Sequence, residues 1–262
     1  MSPLGYYMVR QSTHALYTFE LVVVVAVWVL VLALWRRTGD ARPLAAYAVG
    51  GLYNWGIELM AAASSTRTIT PVALFGVVPV GFPVLPLILG FFEGGVLVLA
   101  AFELTRGILE RNRRALAVGG GVVAVLGLFI AVGAARMPSY LATHPEGATL
   151  TVRALFRPSS LAILAACWGV ALAYAFALGD AGDRTGLLVW YAALTVAAGV
   201  WYTPAFLSGT RRIATLVNGA YQPAGTVEQV AVLYGFSLLF EAAGFYLPVY
   251  VILRGFGLLG RR

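Results

Sequence analysis

Three glutamates lie inside long apolar segments of this sequence, where a charged side chain is costly. They are Glu58, Glu93 and Glu241. A charge at the centre of a membrane-spanning helix costs about 2.5–3.5 kcal/mol on insertion scales, so such residues usually have a function or a partner. Counted from the same side of the membrane, they lie about two, two and a half and three and a half helical turns deep. We therefore expect the three carboxyl groups to converge on one pocket.

None of these glutamates has an evident cationic partner, because no basic residue occurs near the middle of a predicted helix. Burial without a cation disfavours the charged form, so we expect neutral carboxyl groups that donate protons near neutral pH. The alternative is that each one only bonds a carbonyl of a neighbouring helix. Glu103 precedes Arg106 by three residues, which predicts an ion pair. Glu20, at a helix entrance, is expected to be solvated, with a place at the rim of the pocket as the alternative.

Polar and aromatic residues accompany Glu58 at helical spacing. Asn54 and Trp55 precede it by four and three residues and so share its helix face. Trp55 and the adjacent Tyr53 are candidates for binding a cationic substrate or intermediate through their ring faces. Packing of the same rings against lipid is the alternative.

Aromatic residues also accompany Glu241 at helical spacing. Tyr234 and Phe245 lie on its helix face and are further candidates for substrate binding. Trp201 and Tyr202 lie near the end of a predicted helix, a position typical of the aromatic belt at the membrane interface.

The elements that must position these side chains are transmembrane helices. The chain has 262 residues, of which 60% are hydrophobic and only 11% charged, whereas soluble domains carry about 25% charged residues. Spanning a bilayer takes roughly 20 apolar residues, and seven stretches qualify. They lie near residues 17–36, 43–64, 84–106, 114–135, 158–178, 186–207 and 228–253. We therefore expect an all-α bundle of seven transmembrane helices, with residues 1–262 forming a single transmembrane domain.

The basic residues predict how this bundle is oriented. All 18 are arginines, and eleven of them fall on one side if the N-terminus lies outside. The positive-inside rule then favours an N-out, C-in protein, for which we expect a multi-pass location in the plasma membrane. Because the arginines flank helix ends instead of forming one stripe, nucleic acid is not an expected partner, whereas lipid headgroups are.

The sequence offers little for binding a metal or a redox cofactor. Cys167 is the single cysteine, and His14 and His144 are the two histidines, far apart in sequence. This excludes an internal disulfide and a cysteine-based metal cluster. We expect neither a metal nor a cofactor.

The longer connections are predicted on the outer side. Residues 70–86 are apolar, but Pro71, Pro79, Pro83 and Pro86 forbid one continuous helix. Irregular backbone at membrane depth needs protein or a wet cavity around it, so this segment could be a re-entrant hairpin over a pocket. A loop lying on the surface is the alternative.

The segment Asn54-Trp55-Gly56-Ile57-Glu58 resembles the Asn-x-x-Trp-Glu signature of the seven-helix membrane terpene cyclases of fungal and bacterial meroterpenoid pathways. Asn54 and Glu58 match, and Ile57 stands where the family has Trp. Residues 92–96 and 240–246 are similar to two further family segments, with Glu93 and Glu241 in place of Asp.

This resemblance implies an acid-initiated cyclase, or a related isomerase, that acts on a polyprenyl or prenylated lipophilic substrate without a metal. Glu58 or Glu241 would protonate a terminal alkene or epoxide, while Glu93 and Asn54 would hold or deprotonate the product. The pocket would be apolar, aromatic and dry, because water would quench a carbocation.

Two other classes fit the same residues. A proton-coupled carrier of a small lipophilic or cationic compound would also place glutamates at mid-depth among aromatic side chains. A structural or pigment-associated subunit of a larger membrane complex would use the glutamates as links between helices or as ligands.

Overall fold

The computed structural model describes residues 5–67, 70–143 and 148–259, so His144 lies outside the described residues. Within them the chain is mostly helical, with seven long helices. Their bounds are α1 His14–Thr38, α2 Arg42–Ala63, α3 Val84–Leu109, α4 Arg113–Thr143, α5 Pro158–Leu178, α6 Ala181–Leu207 and α7 Thr226–Gly255. Each of these helices coincides with one predicted apolar stretch. The predicted positions of the helices along the chain are therefore confirmed.

Of the helices in the described residues, six are long and apolar enough to cross a membrane. These six are α1 and α3 to α7. The remaining helix, α2, has 22 residues and carries Asn54 and Glu58 among its buried side chains. The chain therefore has the character of a membrane-embedded protein.

The chain is not all-α, because four strands form an antiparallel sheet. They are β1 Tyr6–Thr13, β4 Ala148–Ala154, β5 Arg211–Val217 and β6 Ala220–Pro223. The order is β4-β1-β5-β6, so the first strand of the chain lies between two strands from later connections. The sequence predicts no strand in these segments, because each is short and none is a long apolar run.

Residues 70–86 form a small hairpin followed by a helix start. Strands β2 Val72–Leu74 and β3 Val78–Val80 pair antiparallel, and α3 begins at Val84. The hairpin is fixed to α1, because His14 Nδ1 accepts a 3.0 Å hydrogen bond from the Ala73 amide. Its buried residues Val72 and Leu74 pack with Tyr17 of α1. The sheet and this hairpin lie at one end of the bundle, called the sheet end below.

The opposite end has short links and an ion-pair network. Glu103 accepts a 3.1 Å hydrogen bond from Arg106 Nη1, which confirms the predicted ion pair. Arg106 Nη2 also contacts Asp40 Oδ2 at 2.9 Å, and Asp40 in turn pairs with Arg42. These contacts join α1, α2 and α3 at the end away from the sheet.

The largest core cluster lies among α2, α3, α5, α6 and α7. Trp190 of α6 is fully buried, and its indole N–H donates a 3.1 Å hydrogen bond to the Tyr246 carbonyl of α7. Glycines let α2 and α3 approach closely: a Cβ on Gly94 would lie 2.7 Å from the Gly50 carbonyl oxygen. This close contact fixes the two helices that carry Glu58 and Glu93.

Candidate functional site

The three glutamates of the apolar segments line one cavity at the sheet end of the bundle. Glu58 comes from α2, Glu93 from α3 and Glu241 from α7, and Asn54 and Phe245 also line it. The cavity has a volume of about 100 Å³. Helices supply its walls, and the strands β1, β4 and β5 close it on the side of the sheet.

Two of these glutamates lie in π-helical stretches. Residues Gly90–Gly95 of α3 form one such stretch, which contains Glu93. Residues Ala231–Ala242 of α7 form another, which contains Glu241. A π-helix rotates the side chains that follow it and is frequent at functional sites. The local backbone thus helps to turn both carboxyl groups toward the cavity.

Each of the three glutamates is paired with an arginine, so the expectation of carboxyl groups without a cationic partner was wrong. Glu58 pairs with Arg67. Glu241 Oε2 accepts a 2.7 Å hydrogen bond from Arg153 Nη2. These arginines come from the connecting segments at the sheet end and reach the glutamates from outside the helices.

Arg10 of β1 bridges two helices. Its Nη1 donates to Glu93 Oε1 at 2.5 Å, and its Nη2 donates to Glu20 Oε1 at 2.6 Å. Burial by itself lowers the pKa of Arg10, but the carboxylates of Glu20 and Glu93 together outweigh it and raise that pKa. Glu20 is fully buried in this bridge, which corrects the expectation that it is solvated. It lines a second cavity of about 50 Å³ that shares Arg10, Trp201 and Arg211 with the first.

Asn54 lies one helical turn before Glu58 on α2. Its Oδ1 accepts a 2.8 Å hydrogen bond from the Tyr246 hydroxyl of α7. Its Nδ2, like Glu58 Oε2, is buried without a hydrogen-bond partner in the described structure. The Asn54 side chain is therefore fixed through Oδ1, while Nδ2 is available to donate a hydrogen bond to a ligand.

The residues predicted to bind substrate separate into two groups. Phe245 lines the cavity, whereas Trp55, Tyr53 and Tyr234 are not among the residues that line it. The Tyr53 hydroxyl lies 3.4 Å from Cys167 Sγ. The Tyr234 hydroxyl donates to Thr203 Oγ1 at 3.3 Å.

The predicted site residues did not include the arginines of the cavity or three of its aromatic residues. Arg10, Arg153 and Arg211 lie on strands of the sheet. Trp201 and Tyr202, which were expected at an interface, line the cavity, and so does Tyr246. Strand periodicity was the available signal. Met8 and Arg10 on β1, and Thr151 and Arg153 on β4, are two apart and line the cavity from the same face of the sheet.

The cavity contains both carboxyl and guanidinium groups, so it can exchange protons and bind negatively charged groups. Protons can reside on the carboxyl groups, and the guanidinium groups can stabilise negative charge. In the described residues no group of three or more His, Cys, Asp or Glu side chains is placed to hold a metal ion.

Comparison of the chain with models of protein families, with curated proteins and with solved structures found no significant match. The resemblance over three short segments therefore stays a prediction, and the function is inferred from the geometry of this cavity.

Proposed function

We propose that the protein is a membrane-embedded enzyme that uses the carboxyl groups of Glu58, Glu93 and Glu241 for proton transfer to and from a lipophilic substrate. The reaction class that fits is acid-initiated cyclisation or isomerisation of a prenylated compound. One observation carries the proposal: three glutamates from three different helices line one cavity together with Asn54, Glu58 and Glu241 buried and Glu93 partly buried. Links between helices do not require three acids at one place.

The proposed setting is a bundle of seven transmembrane helices in the plasma membrane, with the sheet end outside. The length of α2 supports its inclusion as a seventh span, since 22 residues extend about 33 Å. The excess of arginines at the helix ends opposite the sheet supports an N-out, C-in orientation.

Glu58 is the proposed proton donor. Arg67 contacts its Oε1, while its Oε2 has no hydrogen-bond partner among the described residues. A proton on Oε2 therefore displaces no existing hydrogen bond. Transfer of this proton to an alkene or epoxide would leave a substrate cation and a carboxylate beside Arg67, and the ion pair would stabilise that carboxylate.

Glu241 and Glu93 are the proposed proton acceptors. Arg153 and Arg10 hold them as carboxylates, at 2.7 and 2.5 Å. After ring closure, one of them removes a proton from the product cation and gives it up to solvent, from which Glu58 takes its next proton. Donor and acceptor thus share one cavity, and the reaction has no net proton uptake.

The size of the cavity limits which part of a substrate it can hold. A volume of about 100 Å³ is below the 300–1,000 Å³ typical of pockets that enclose a drug-sized ligand. It fits the reacting end of a longer molecule. The rest would extend toward the groove of about 350 Å³ between α1 and α4, which shares Phe129 with the second cavity.

The experiment is a conversion assay on the purified protein in non-ionic detergent. Farnesol, its terminal epoxide and a farnesylated phenol are supplied separately in D₂O, and products are separated by chromatography and analysed by mass spectrometry. A cyclised or isomerised product that carries deuterium is expected. Glu58→Gln should reduce turnover by about 10²–10⁴-fold, as expected for loss of a general acid.

Glu103→Gln is the matched control. Glu103 is also a buried, arginine-paired glutamate, but it lies at the opposite end of the bundle. It tests for loss of stability without touching the cavity and should leave turnover within about twofold. The proposal is overturned if the folded protein converts none of the three compounds, or if Glu58→Gln retains full turnover.

A proton-coupled carrier is the second candidate, and the arginines that line the cavity support it. Four arginines line the cavity, which is more polar than a carbocation pocket needs to be. A carrier would change the internal pH of sealed vesicles when its solute is added, without altering the solute. The same compounds tested in proteoliposomes containing a pH-sensitive dye separate the two functions.

A further inference from the structure

Among the described residues, Arg211 is a buried cation without an ionic partner. It is the first residue of β5, is only 6% exposed and lines both cavities. Its guanidinium lies over the ring of Tyr202, at 4.2 Å from the ring centroid. In the described part of the chain no carboxylate lies within ion-pair distance of it, whereas the other arginines of the cavity each contact a glutamate.

A count of the arginines and glutamates that line the two cavities explains why Arg211 has no carboxylate beside it. Four arginines accompany four glutamates when Glu20 of the second cavity is included. Arg10 contacts two of these glutamates, so one arginine remains unpaired. Any proton held by a glutamate, as acid catalysis requires, leaves the cluster with a net positive charge.

The pKa of Arg211 also indicates that a negative charge is missing beside it. Burial lowers the pKa of Arg211, and the positive charges of Arg10 and Arg153 add to this against the opposite effects of Tyr202 and Glu93. A guanidinium in such a place lacks the negative charge that usually accompanies a buried cation.

Most of the unsatisfied polar atoms around the cavity are donors. Arg211 Nε, Arg67 Nε and Asn54 Nδ2 are buried without hydrogen-bond partners in the described structure. All three residues line the cavity. Buried donors are rarely left unpaired in native proteins. A ligand with several acceptor oxygens would satisfy them together, whereas a neutral alkene would satisfy none.

We infer that the cavity binds a compact oxyanion, a phosphate or carboxylate group, with Arg211 as its principal cation and Asn54 and Arg67 as further donors. The volume of about 100 Å³ corresponds to roughly three water molecules and fits such a group. A volume of this size does not hold the oxyanion and the reacting end of a prenylated substrate together, so the oxyanion is a separate ligand of the cavity and the inference does not depend on the proposed function.

The test is thermal unfolding of the protein in dodecyl maltoside at constant ionic strength. One arm adds inorganic phosphate in exchange for chloride, and the other adds dodecyl phosphate. At one hundred times its Kd, a bound probe should raise Tm by about 5–10 °C. Stabilisation by both probes indicates a site open to free phosphate, and stabilisation by dodecyl phosphate alone indicates an oxyanion delivered by a lipid.

Arg211→Gln should abolish the shift, and Arg212→Gln is the matched control. Arg212 is the next residue of the same strand, is less buried and does not line either cavity. If Arg211→Gln does not fold, Arg211→Lys keeps the charge but loses the planar donors, and the affinity should fall at least about tenfold. No stabilisation of the wild type by either probe, or an unchanged shift in the Arg211 variants, overturns the inference.

The two proposals fail separately. Oxyanion binding through Arg211 without conversion of any prenylated compound overturns the proposed enzyme and leaves the binding site. Turnover without oxyanion binding overturns only the site at Arg211.

Discussion

Arg153 Nη2 donates a 2.7 Å hydrogen bond to Glu241 Oε2 across 88 residues of sequence. The donor lies on strand β4 and the acceptor on helix α7. Arg10 of β1 makes the equivalent contact with Glu93 of α3. The sheet is thus joined to the helices by ion pairs at the cavity, and the shape of the cavity depends on both parts of the fold.

Removing the cation from the Arg153–Glu241 pair should destabilise the protein. Glu241 is 3% exposed and would be left as a buried charge. Such a loss costs about 3 kcal/mol, so Arg153→Gln should lower Tm by about 6–12 °C. The measurement is thermal unfolding in detergent, followed by intrinsic fluorescence.

The double variant Arg153→Gln/Glu241→Gln separates this cause from general disruption. It removes both charges and should recover at least half of the lost Tm. Arg212→Gln serves as the control for loss of an arginine from the sheet and should change Tm little. A double variant less stable than Arg153→Gln would contradict the explanation.

Lysine cannot replace Arg10 without loss, because Arg10 uses two nitrogens to reach two carboxylates. The distances are 2.5 Å to Glu93 and 2.6 Å to Glu20. A lysine has one compact ammonium group and loses one of the two charged hydrogen bonds, which is worth about 2 kcal/mol. In thermal unfolding, Arg10→Lys should lower Tm by about 4–8 °C. In a Glu20→Gln background the decrease should be smaller, and an equal decrease in both backgrounds would rule out the bridging role.

The helices could be placed from sequence because long apolar runs are a local signal. The run of α5, for example, was placed at 158–178, where the structure has it. The side of the bundle on which Glu58, Glu93 and Glu241 lie also followed from counting turns. Depth along a helix is set by the backbone repeat and needs no knowledge of the neighbours.

The partners of these glutamates could not be found in this way. Arg10, Arg153 and Arg211 belong to strands whose pairing joins distant parts of the chain, as β1 with β4 and β5. Strand preference depends strongly on context, and short polar strands lack a signal comparable to an apolar run. Arginines that were expected only to flank helix ends therefore line the cavity.

The close approach of α2 and α3 should be sensitive to a single methyl group. A Cβ at Gly94 would lie 2.7 Å from the Gly50 carbonyl oxygen, so Gly94→Ala must push the helices apart. Overpacking of this kind costs about 1–3 kcal/mol, and Tm should fall by about 2–12 °C. Because Gly94 also contacts Asn54, turnover should fall as well.

Gly56→Ala is the control for this effect. Gly56 lies on α2, and a Cβ there would meet nothing within 4 Å. Alanine favours a helix over glycine by about 1 kcal/mol, so Gly56→Ala should keep or raise Tm. A Gly94→Ala protein as stable as Gly56→Ala would show that the contact between the helices is not tight.

Acid should weaken the end of the bundle away from the sheet through Asp40. Partial burial by itself opposes the charged form, but hydrogen bonds from Arg42 and the charge of Arg106 lower the pKa of Asp40 below its usual value. The folded protein therefore binds this proton less readily than the unfolded chain. The stabilisation is complete above the unfolded value of about 3.9 and is lost as pH falls through the lower folded value.

Asp40→Asn should accordingly lower Tm by about 2 °C at pH 7, the size expected for a partly exposed ion pair. The difference from wild type should shrink as pH falls below about 4, measured by thermal unfolding in detergent over a series of buffers. Arg42→Gln removes the hydrogen bonds that contribute most to the lowering, so in that background the effect of Asp40→Asn should be smaller at pH 7. An Asp40→Asn difference that stays constant down to pH 3 would show that the charge of Asp40 does not stabilise the link between α1 and α2.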